Sequence, residues 1–220
     1  MPSPDTLAAA AVEMLDYATT PRQLEGTLER DYLLHPGLIQ QAKALQFVLT
    51  QKAGLLLALG EGHGFTVFKL RTFDDGSTAW SAPCFLTAPS VSTGATVGKQ
   101  QTCALLVVLS DKAAELLRAG HSTGAAVGAQ ANLTPPRGEW MKVAQDSLLL
   151  EDVVSLGLSD GLMVDLSGAV SALRVDAAQN EAVYGPGRSP ADILGGQPVP
   201  APPVFGDLYD KLNEVIERCA

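Results

Sequence analysis

The segment Gly120–Gly124 has the G-x-S-x-G spacing of a nucleophile elbow. That motif places its serine on a turn from a strand to a helix, where a histidine base activates it for acyl transfer. In α/β-hydrolases the histidine follows the serine, but no histidine follows His121 here, and His121 adjoins Ser122 too closely to act as its base. The helix pattern also precedes this segment, and the strand pattern follows it. We therefore reject a hydrolase and predict a glycine-rich strand.

A second glycine-rich segment, Gly60–Gly64, has alternating glycines that suggest a phosphate-binding loop. A dinucleotide loop has the spacing G-x-G-x-x-G and opens a helix, whereas the residues after Gly64 have the pattern of a strand. We therefore interpret this segment as a tight turn. An uncharacterised enzyme is an alternative only if His63, which lies in this segment, meets an acid and a nucleophile in a pocket.

Metal binding and acid–base catalysis have no supporting pattern. The histidines and cysteines of the chain are His35, His63, His121, Cys84, Cys103 and Cys219. They lack the C-x-x-C or H-x-x-x-H spacing of metal ligands, and the three distant thiols are expected to be reduced and structural. The acidic pairs Asp74–Asp75 and Glu151–Asp152 fall at predicted turns or strand ends, where solvated carboxylates are expected. We predict no metal, no cofactor and no catalytic residue.

Composition excludes several classes of protein. The 220 residues carry a net charge of −9, and no run of three basic residues occurs, so general nucleic-acid binding is not expected. The sequence is 46% hydrophobic, but no apolar run approaches the roughly 18 residues of a transmembrane helix. The first residues have no basic region, so a secretory signal is not expected and the predicted location is the cytoplasm.

The beginning of the chain has the cap and the apolar periodicity of a helix. Ser3–Pro4 starts it, and Leu7, Val12 and Leu15 lie on or beside one apolar face. This face either packs on its own domain or lies in a membrane interface, and the absence of Lys and Arg from residues 1–19 favours packing. Further helices are predicted from Thr20–Pro21, from Leu38 to a stop at Gly54, from Ser110 to Arg118, from Ser189 to Leu194, and from about Phe205 to Glu217.

Between these helices, short apolar segments separated by glycines have the pattern of strands. Three of these strands are predicted between Val153 and Val175, and they are separated by turns at Ser159–Gly161 and Ser167–Gly168. The sequence therefore predicts an α+β fold, with a curved antiparallel β-sheet or barrel of many short glycine-rich strands and with N- and C-terminal helices. Its predicted parts are an N-terminal helical segment (1–33), a core domain (34–197), and a proline-rich connector with a C-terminal helix that packs on the core (198–220).

The order of several short motifs resembles the SYLF domain family, from Pro36 to Leu194. The motifs that carry the resemblance, with the family's version in parentheses, are Ala42–Leu45 and Lys52–Gly54 (AKGL…KAG), Gly62–Gly64 (GSG), Asp75–Gly76 with Trp80–Pro83 (DG-WSAP), and Asn180, Tyr184–Gly185 and Asp192–Leu194 (N…FYG…DIL). In this alignment Gly120–Gly124 falls in the family's glycine-rich strand, which agrees with the rejection of a hydrolase.

The resemblance implies a non-enzymatic adaptor domain that binds phosphoinositide-containing membranes peripherally, with actin binding in some members. Lipid binding in the family is associated with the N-terminal amphipathic helix and with basic residues. The implied lipid contacts are therefore Leu7, Val12, Leu15, Lys43, Lys52, Lys69 and Arg71. The alternative is a protein-interaction module that binds actin or an endocytic or trafficking partner.

Overall fold

The computed structural model describes residues 1–23, 30–120, 125–133, 153–195 and 199–219. The elements in chain order are α1 (Pro4–Thr19), β1 (Arg22–Gln23), β2 (Arg30–Asp31), α2 (Pro36–Gln41), β3 (Ala44–Thr72), β4 (Thr78–Trp80), β5 (Cys84–Val108), α3 (Asp111–Arg118), β6 (Ala125–Leu133), β7 (Val153–Ala172), β8 (Arg174–Val175), α4 (Ala177–Tyr184), α5 (Pro190–Leu194) and α6 (Gly206–Glu217). A short 3-10 turn, Pro203–Phe205, leads into α6. The predicted α+β class with helices at both ends is confirmed.

The main sheet is open, curved and antiparallel, as predicted. Its strand order is β4-β3-β5-β7-β6, and β8 pairs with the beginning of β5. The strands β1 and β2 form a separate two-stranded pair. This pair replaces the second helix predicted from Thr20–Pro21, because Arg22 and Gln23 are extended; Leu24 and Leu28, which supported that helix, lie outside the described residues.

The prediction of many short strands is wrong in one respect, because three strands of the main sheet are long. Gly60–Gly64 is not a tight turn but lies inside the 29-residue strand β3, where Gly62 pairs with Ala88. Likewise Ser159–Gly161 and Ser167–Gly168 lie inside β7, paired along their length with β5. In both segments the neighbouring strand forms the backbone hydrogen bonds, so the strand continues through the small residues. The glycines permit the sheet to bend there.

The helix predicted from Leu38 to Gly54 is also wrong, since α2 ends at Gln41 and β3 begins at Ala44. The residues Leu45, Phe47 and Leu49 alternate onto one face and are at most 5% exposed. This alternation has the two-residue period of a strand, whereas the helix is predicted from the spacing of Leu38, Ala42, Leu45 and Leu49. Burial of both faces of this segment decides for the strand, as tertiary packing commonly does for short apolar runs.

Strand β3 bends back until its two ends meet. The backbone N–H of Lys69 donates to the carbonyl of Lys43 at 2.9 Å, although 29 extended residues span roughly 95 Å. Near this crossing the Phe47 and Phe65 rings stack with centroids 5.2 Å apart. A Cβ atom at Gly64 would lie 2.0 Å from the Phe47 carbonyl oxygen, so only glycine fits where the two halves cross.

Two layers of helix cover the sheet. On one face, α1 and α6 pack with β3 and β5 around Leu15, Phe65, Phe205 and Leu212, each fully buried. The expectation that the N-terminal helix packs on its own domain is thereby confirmed. On the other face, α3 and α5 cover Phe68 in a smaller cluster. The division of the chain into segments 1–33, 34–197 and 198–220 stays a prediction.

The turn Trp80–Pro83 is held by the C-terminal half of the chain. The Tyr184 hydroxyl donates to the Pro83 carbonyl at 2.7 Å, and the Tyr209 hydroxyl donates to the Ser81 carbonyl at 2.9 Å. The Ser81 hydroxyl in turn accepts the N–H of Phe68 at 2.9 Å. The turn therefore connects β3 and β4 to both α4 and α6. This contact explains why the family's motifs at Trp80–Pro83 and Tyr184 occur together although they are far apart in sequence.

Candidate partner-binding edge

Three of the four predicted basic contacts lie at one edge of the molecule. Lys43 precedes β3, while Lys69 and Arg71 lie near its end, and the bend of β3 brings the two ends together through the Lys69–Lys43 backbone hydrogen bond. We name Lys43, Lys69 and Arg71 the basic edge. Lys52 is nine residues beyond Lys43, about 30 Å further along the strand, and its backbone pairs opposite Gln100. The structure does not bring Lys52 to the basic edge.

Lys69 is the most constrained member of the basic edge. Its Nζ donates to the carbonyl of Gln40 and lies 5.8 Å from the centroid of the Trp80 ring. Burial and, to a smaller extent, the neighbouring charge of Lys43 lower the pKa of Lys69 below its ordinary value. The ammonium is therefore committed to internal contacts, and it offers less charge to a partner than an exposed lysine does.

Lys43 and Arg71 are the accessible cations. Lys43 Nζ lies 3.1 Å from Asp111 Oδ1 in an ion pair whose side chains are 47% and 81% exposed, and such exposed pairs are weak. The Arg71 guanidinium lies 4.2 Å from the centroid of the Phe73 ring. Phe73 is 40% exposed and its neighbour Leu70 is 39% exposed. The edge thus combines cations with an exposed aromatic and an exposed aliphatic side chain, a composition common in binding surfaces.

The acidic pair at the tip of this edge has a structural role. Asp75 Oδ1 accepts hydrogen bonds from the Ser77 hydroxyl at 2.6 Å and from the Ser77 amide at 2.9 Å, and Gly76 has a φ of 85°. The Ser77 hydroxyl and amide lower the pKa of Asp75. The prediction of a solvated turn at Asp74–Asp75 is confirmed; Glu151–Asp152 lies outside the described residues.

The apolar residues of α1 do not face outward. Leu7 is 2% exposed and Leu15 is fully buried, and Val12 is half-buried against the same core. Their burial follows from the position of α1 between α6 and the sheet. Leu7 and Leu15 are therefore core residues in this structure, and their assignment as lipid contacts stays a prediction.

His63, the residue on which the enzyme alternative depends, is buried. His63 is 5% exposed, and its Nε2 lies 3.0 Å from Glu61 Oε1 in an orientation that makes no hydrogen bond. A cavity of about 40 Å³ between α1, β3 and β5 is lined by Met14, Leu49 and Cys103 among others, but not by His63. That volume holds on the order of one water molecule. His63 is therefore not part of this cavity.

The thiols are free, as predicted. Burial raises the pKa of Cys84 and of Cys103 to about 12, so neither is a thiolate nucleophile near neutral pH. Among the described residues no group of three His, Cys, Asp or Glu side chains could hold a metal ion. In the same part of the chain, every helix is too short or too polar to cross a membrane.

Comparison with known proteins agrees with this fold. The family profile described as "Ysc84: Las17-binding protein actin regulator" matches residues 89–215, which is more than half of the chain. The chain therefore belongs to the Ysc84 family, which confirms the resemblance to the SYLF domain. It is also 29% identical over 213 residues to the SH3 domain-containing protein PJ696.02 of Schizosaccharomyces pombe. That alignment covers 94% of this chain but only 46% of the relative. No solved structure matches the chain.

Two members of this edge were missed by the sequence analysis. The Phe73 ring contacts the Arg71 guanidinium, and Leu70, which precedes Arg71 in the chain, is also exposed. A usable signal was present, because Lys69, Arg71 and Phe73 alternate directly before the turn at Asp74. Alternate residues of a strand point to the same face, so this pattern indicates a row of side chains that faces solvent at the end of the strand.

Proposed function

We propose that the chain is a non-catalytic, cytoplasmic adaptor module that attaches to the actin-regulating machinery. The observation that carries the proposal is the family match over residues 89–215, since that family is described as an actin regulator and as Las17-binding. The chain corresponds to 46% of its fission-yeast relative, so the remaining activities of such a longer protein come from other parts. Actin filaments or a Las17-type protein are the partners that we expect.

The basic edge is the surface that we assign to this partner. The contact of the Arg71 guanidinium with the Phe73 ring restricts this side chain, which reduces the side-chain entropy that binding would cost. Lys43 adds a second accessible cation, and Leu70 adds apolar area. In a chain of net charge −9, a local group of cations favours an acidic surface on the partner.

Co-sedimentation with actin filaments and pull-down with Las17 at low salt test this proposal. We expect the variant Lys43→Glu/Arg71→Glu to bind roughly fivefold to tenfold more weakly than the wild type, because two accessible cations become anions. The matched control is Arg174→Glu/Arg188→Glu, which reverses two exposed cations elsewhere. Failure of the wild type to bind either partner contradicts the function, and equal loss in the control contradicts the assignment of the surface.

A phosphoinositide-containing membrane is the second candidate ligand. It is supported by the combination of Lys43 and Arg71 with exposed Leu70 and Phe73, because interfacial proteins pair cations for the headgroups with apolar side chains for the acyl boundary. Lys52 and Lys69 stay secondary candidates. With Leu7 and Leu15 buried, we expect the basic edge rather than α1 to make this contact.

Liposome pelleting with and without phosphoinositides distinguishes the two candidates. Specific headgroup recognition predicts that the protein pellets only with phosphoinositide vesicles, and that Phe73→Ser and Lys43→Glu/Arg71→Glu each reduce pelleting. Equal pelleting with both vesicle types contradicts specific recognition. If the basic-edge variants pellet like the wild type, the membrane contact lies on another surface of the molecule.

A further inference from the structure

The segment between α5 and α6 is extended and rich in proline. Its described part reads Val199-Pro200-Ala201-Pro202-Pro203. Each proline ring fixes its own φ near −65°, and each residue before a proline is restricted to extended backbone. Pro202 shows the outcome directly, with φ −57° and ψ 138°, which are the angles of a polyproline II helix. The chain chemistry therefore holds the segment as far as Pro202 in extended, polyproline II-like geometry, and Pro203 begins the 3-10 turn that leads into α6.

The segment has one side on the protein and one side in solvent. Val199 and Ala201 pack against the cluster formed by α3, α5 and the sheet, and Phe205 is fully buried just beyond the segment. A polyproline II helix has three residues per turn, so Pro200 and Pro203 share a face. Both are exposed, and the adjacent Val204 is 38% exposed. The molecule thus displays a P-x-x-P pair on a surface that its own core fixes in place.

We propose that Pro200–Pro203 is a docking ligand for an aromatic-lined, polyproline-binding groove of the SH3 type, the type that the fission-yeast relative carries by its name. Such grooves bind P-x-x-P segments because the polyproline II helix is already ordered and exposes its proline rings. Here the core-facing residues Val199 and Ala201 order the ligand further, which lowers the entropy lost on binding. The interaction is separate from the basic edge and goes beyond the proposed actin function.

The absence of charged residues in this segment determines how the interaction depends on salt. From Gly195 to Gly206 the chain has no charged residue. Affinity must then come from the proline faces and backbone carbonyls rather than from an ion pair with the groove. Binding is therefore expected to be modest and nearly independent of ionic strength, whereas binding at the basic edge weakens as salt rises.

Isothermal titration of the full chain with the purified SH3 domain of the fission-yeast relative tests the proposal. We expect saturable one-to-one binding that changes less than about twofold between low and high salt. The exposed-proline variant Pro200→Ala should weaken binding about tenfold, and Pro200→Ala/Pro203→Ala should abolish it. The matched control is Pro186→Ala, an exposed proline in another turn, which should bind like the wild type.

Several results would overturn the docking role. These are the absence of wild-type binding, unchanged binding by Pro200→Ala, and equal loss in Pro186→Ala. Thermal unfolding of each variant keeps the test independent of folding, because Pro200 is exposed and its loss should not lower the midpoint. The variant Lys43→Glu/Arg71→Glu should keep full SH3 binding, so failure of the actin proposal and failure of this one give different results.

Discussion

The side chain of Asn180 pairs with the backbone of Phe85 as a neighbouring strand would. Its Oδ1 accepts the Phe85 N–H at 2.9 Å, and its Nδ2 donates to the Phe85 carbonyl at 3.0 Å. The same Nδ2 also donates at 2.8 Å to the carbonyl of Asp176, the N-cap residue of α4. Asn180 is 3% exposed. This amide docks α4 on β5 together with the backbone N–H of Asp176, which also donates to the Phe85 carbonyl at 2.9 Å.

Substitution of Asn180 by Asp should destabilise the fold. A carboxylate keeps one acceptor for the Phe85 N–H but replaces two donated hydrogen bonds with repulsion toward the carbonyls of Phe85 and Asp176. The expected loss is about 2–4 kcal/mol of unfolding free energy, measured by urea denaturation near neutral pH. The exposed neighbour Glu181, changed to Gln, is the control and should stay within about 0.5 kcal/mol of the wild type. A stable Asn180→Asp variant would show that water replaces this pairing.

The crossing of β3 predicts a strong position dependence for glycine substitutions. In Gly64→Ala the new methyl would lie 2.0 Å from the Phe47 carbonyl oxygen, so the two halves of the strand must separate. We expect a loss of about 2–3 kcal/mol in chemical denaturation. The control Gly157→Ala lies in β7, where the nearest atom, Thr102 Cγ2, is 3.9 Å away, and it should be neutral. Similar stability of the two variants would contradict the close crossing.

The sequence predicts best those features that are determined by residues close together in the chain. Ser110 caps α3 through its hydroxyl, and the predicted helix to Arg118 matches the observed bounds. Ser189–Pro190 likewise predicts the start of α5, where the structure shows a capping box between Ser189 and Asp192. Caps, proline positions and apolar periodicity act within a few residues, so they can be read directly from the chain.

The long strands and the basic edge could not be read in this way. Whether Gly60–Gly64 turns or continues depends on β5, whose partner residues begin more than twenty positions later. The neighbourhood of Lys43 and Lys69 depends on the bend of β3, which the crossing at Gly64 permits. Such contacts join distant residues, and a local pattern carries no information about which pairs will meet.

Stability should fall in alkaline solution. Burial raises the pKa of Cys84 and Cys103 to about 12, and it also raises the pKa of Tyr184 and Tyr209. In the unfolded chain these groups lose protons near pH 9 for thiols and pH 10 for tyrosines, so above pH 9 the unfolded state binds fewer protons than the folded state. The unfolding free energy is therefore complete below about pH 9 and decreases as pH rises through 9–12. Urea denaturation at steps from pH 8 to pH 11 measures the slope.

Tyrosine variants separate the contributions to that slope. Tyr184→Phe and Tyr209→Phe each remove one hydroxyl that donates to a backbone carbonyl, and each should cost about 1 kcal/mol at pH 7. Each should also flatten the decrease in stability above pH 10, because one buried proton is no longer lost on unfolding. A variant with the wild-type slope would show that the tyrosine ionises equally in both states.

Thiol labelling should report the burial of the cysteines. In the folded chain, Cys219 is half-buried near the end of α6, whereas Cys84 is 1% and Cys103 is 7% exposed. An aromatic disulfide reagent at pH 8 should therefore modify one thiol quickly and the other two only at the rate of unfolding. The control Cys219→Ser should lose the fast phase alone. Two fast thiols in the wild type would contradict the packing of α1 over Cys103.

The packing of α1 with α6 also determines when the core can be completed during synthesis. Leu7 and Leu15 of α1 are synthesised well before Leu208 and Leu212 of α6, which share their cluster. A nascent chain that has not yet produced α6 must keep the apolar face of α1 partly uncovered. That face is therefore accessible on the nascent chain until α6 has been made and packs over it.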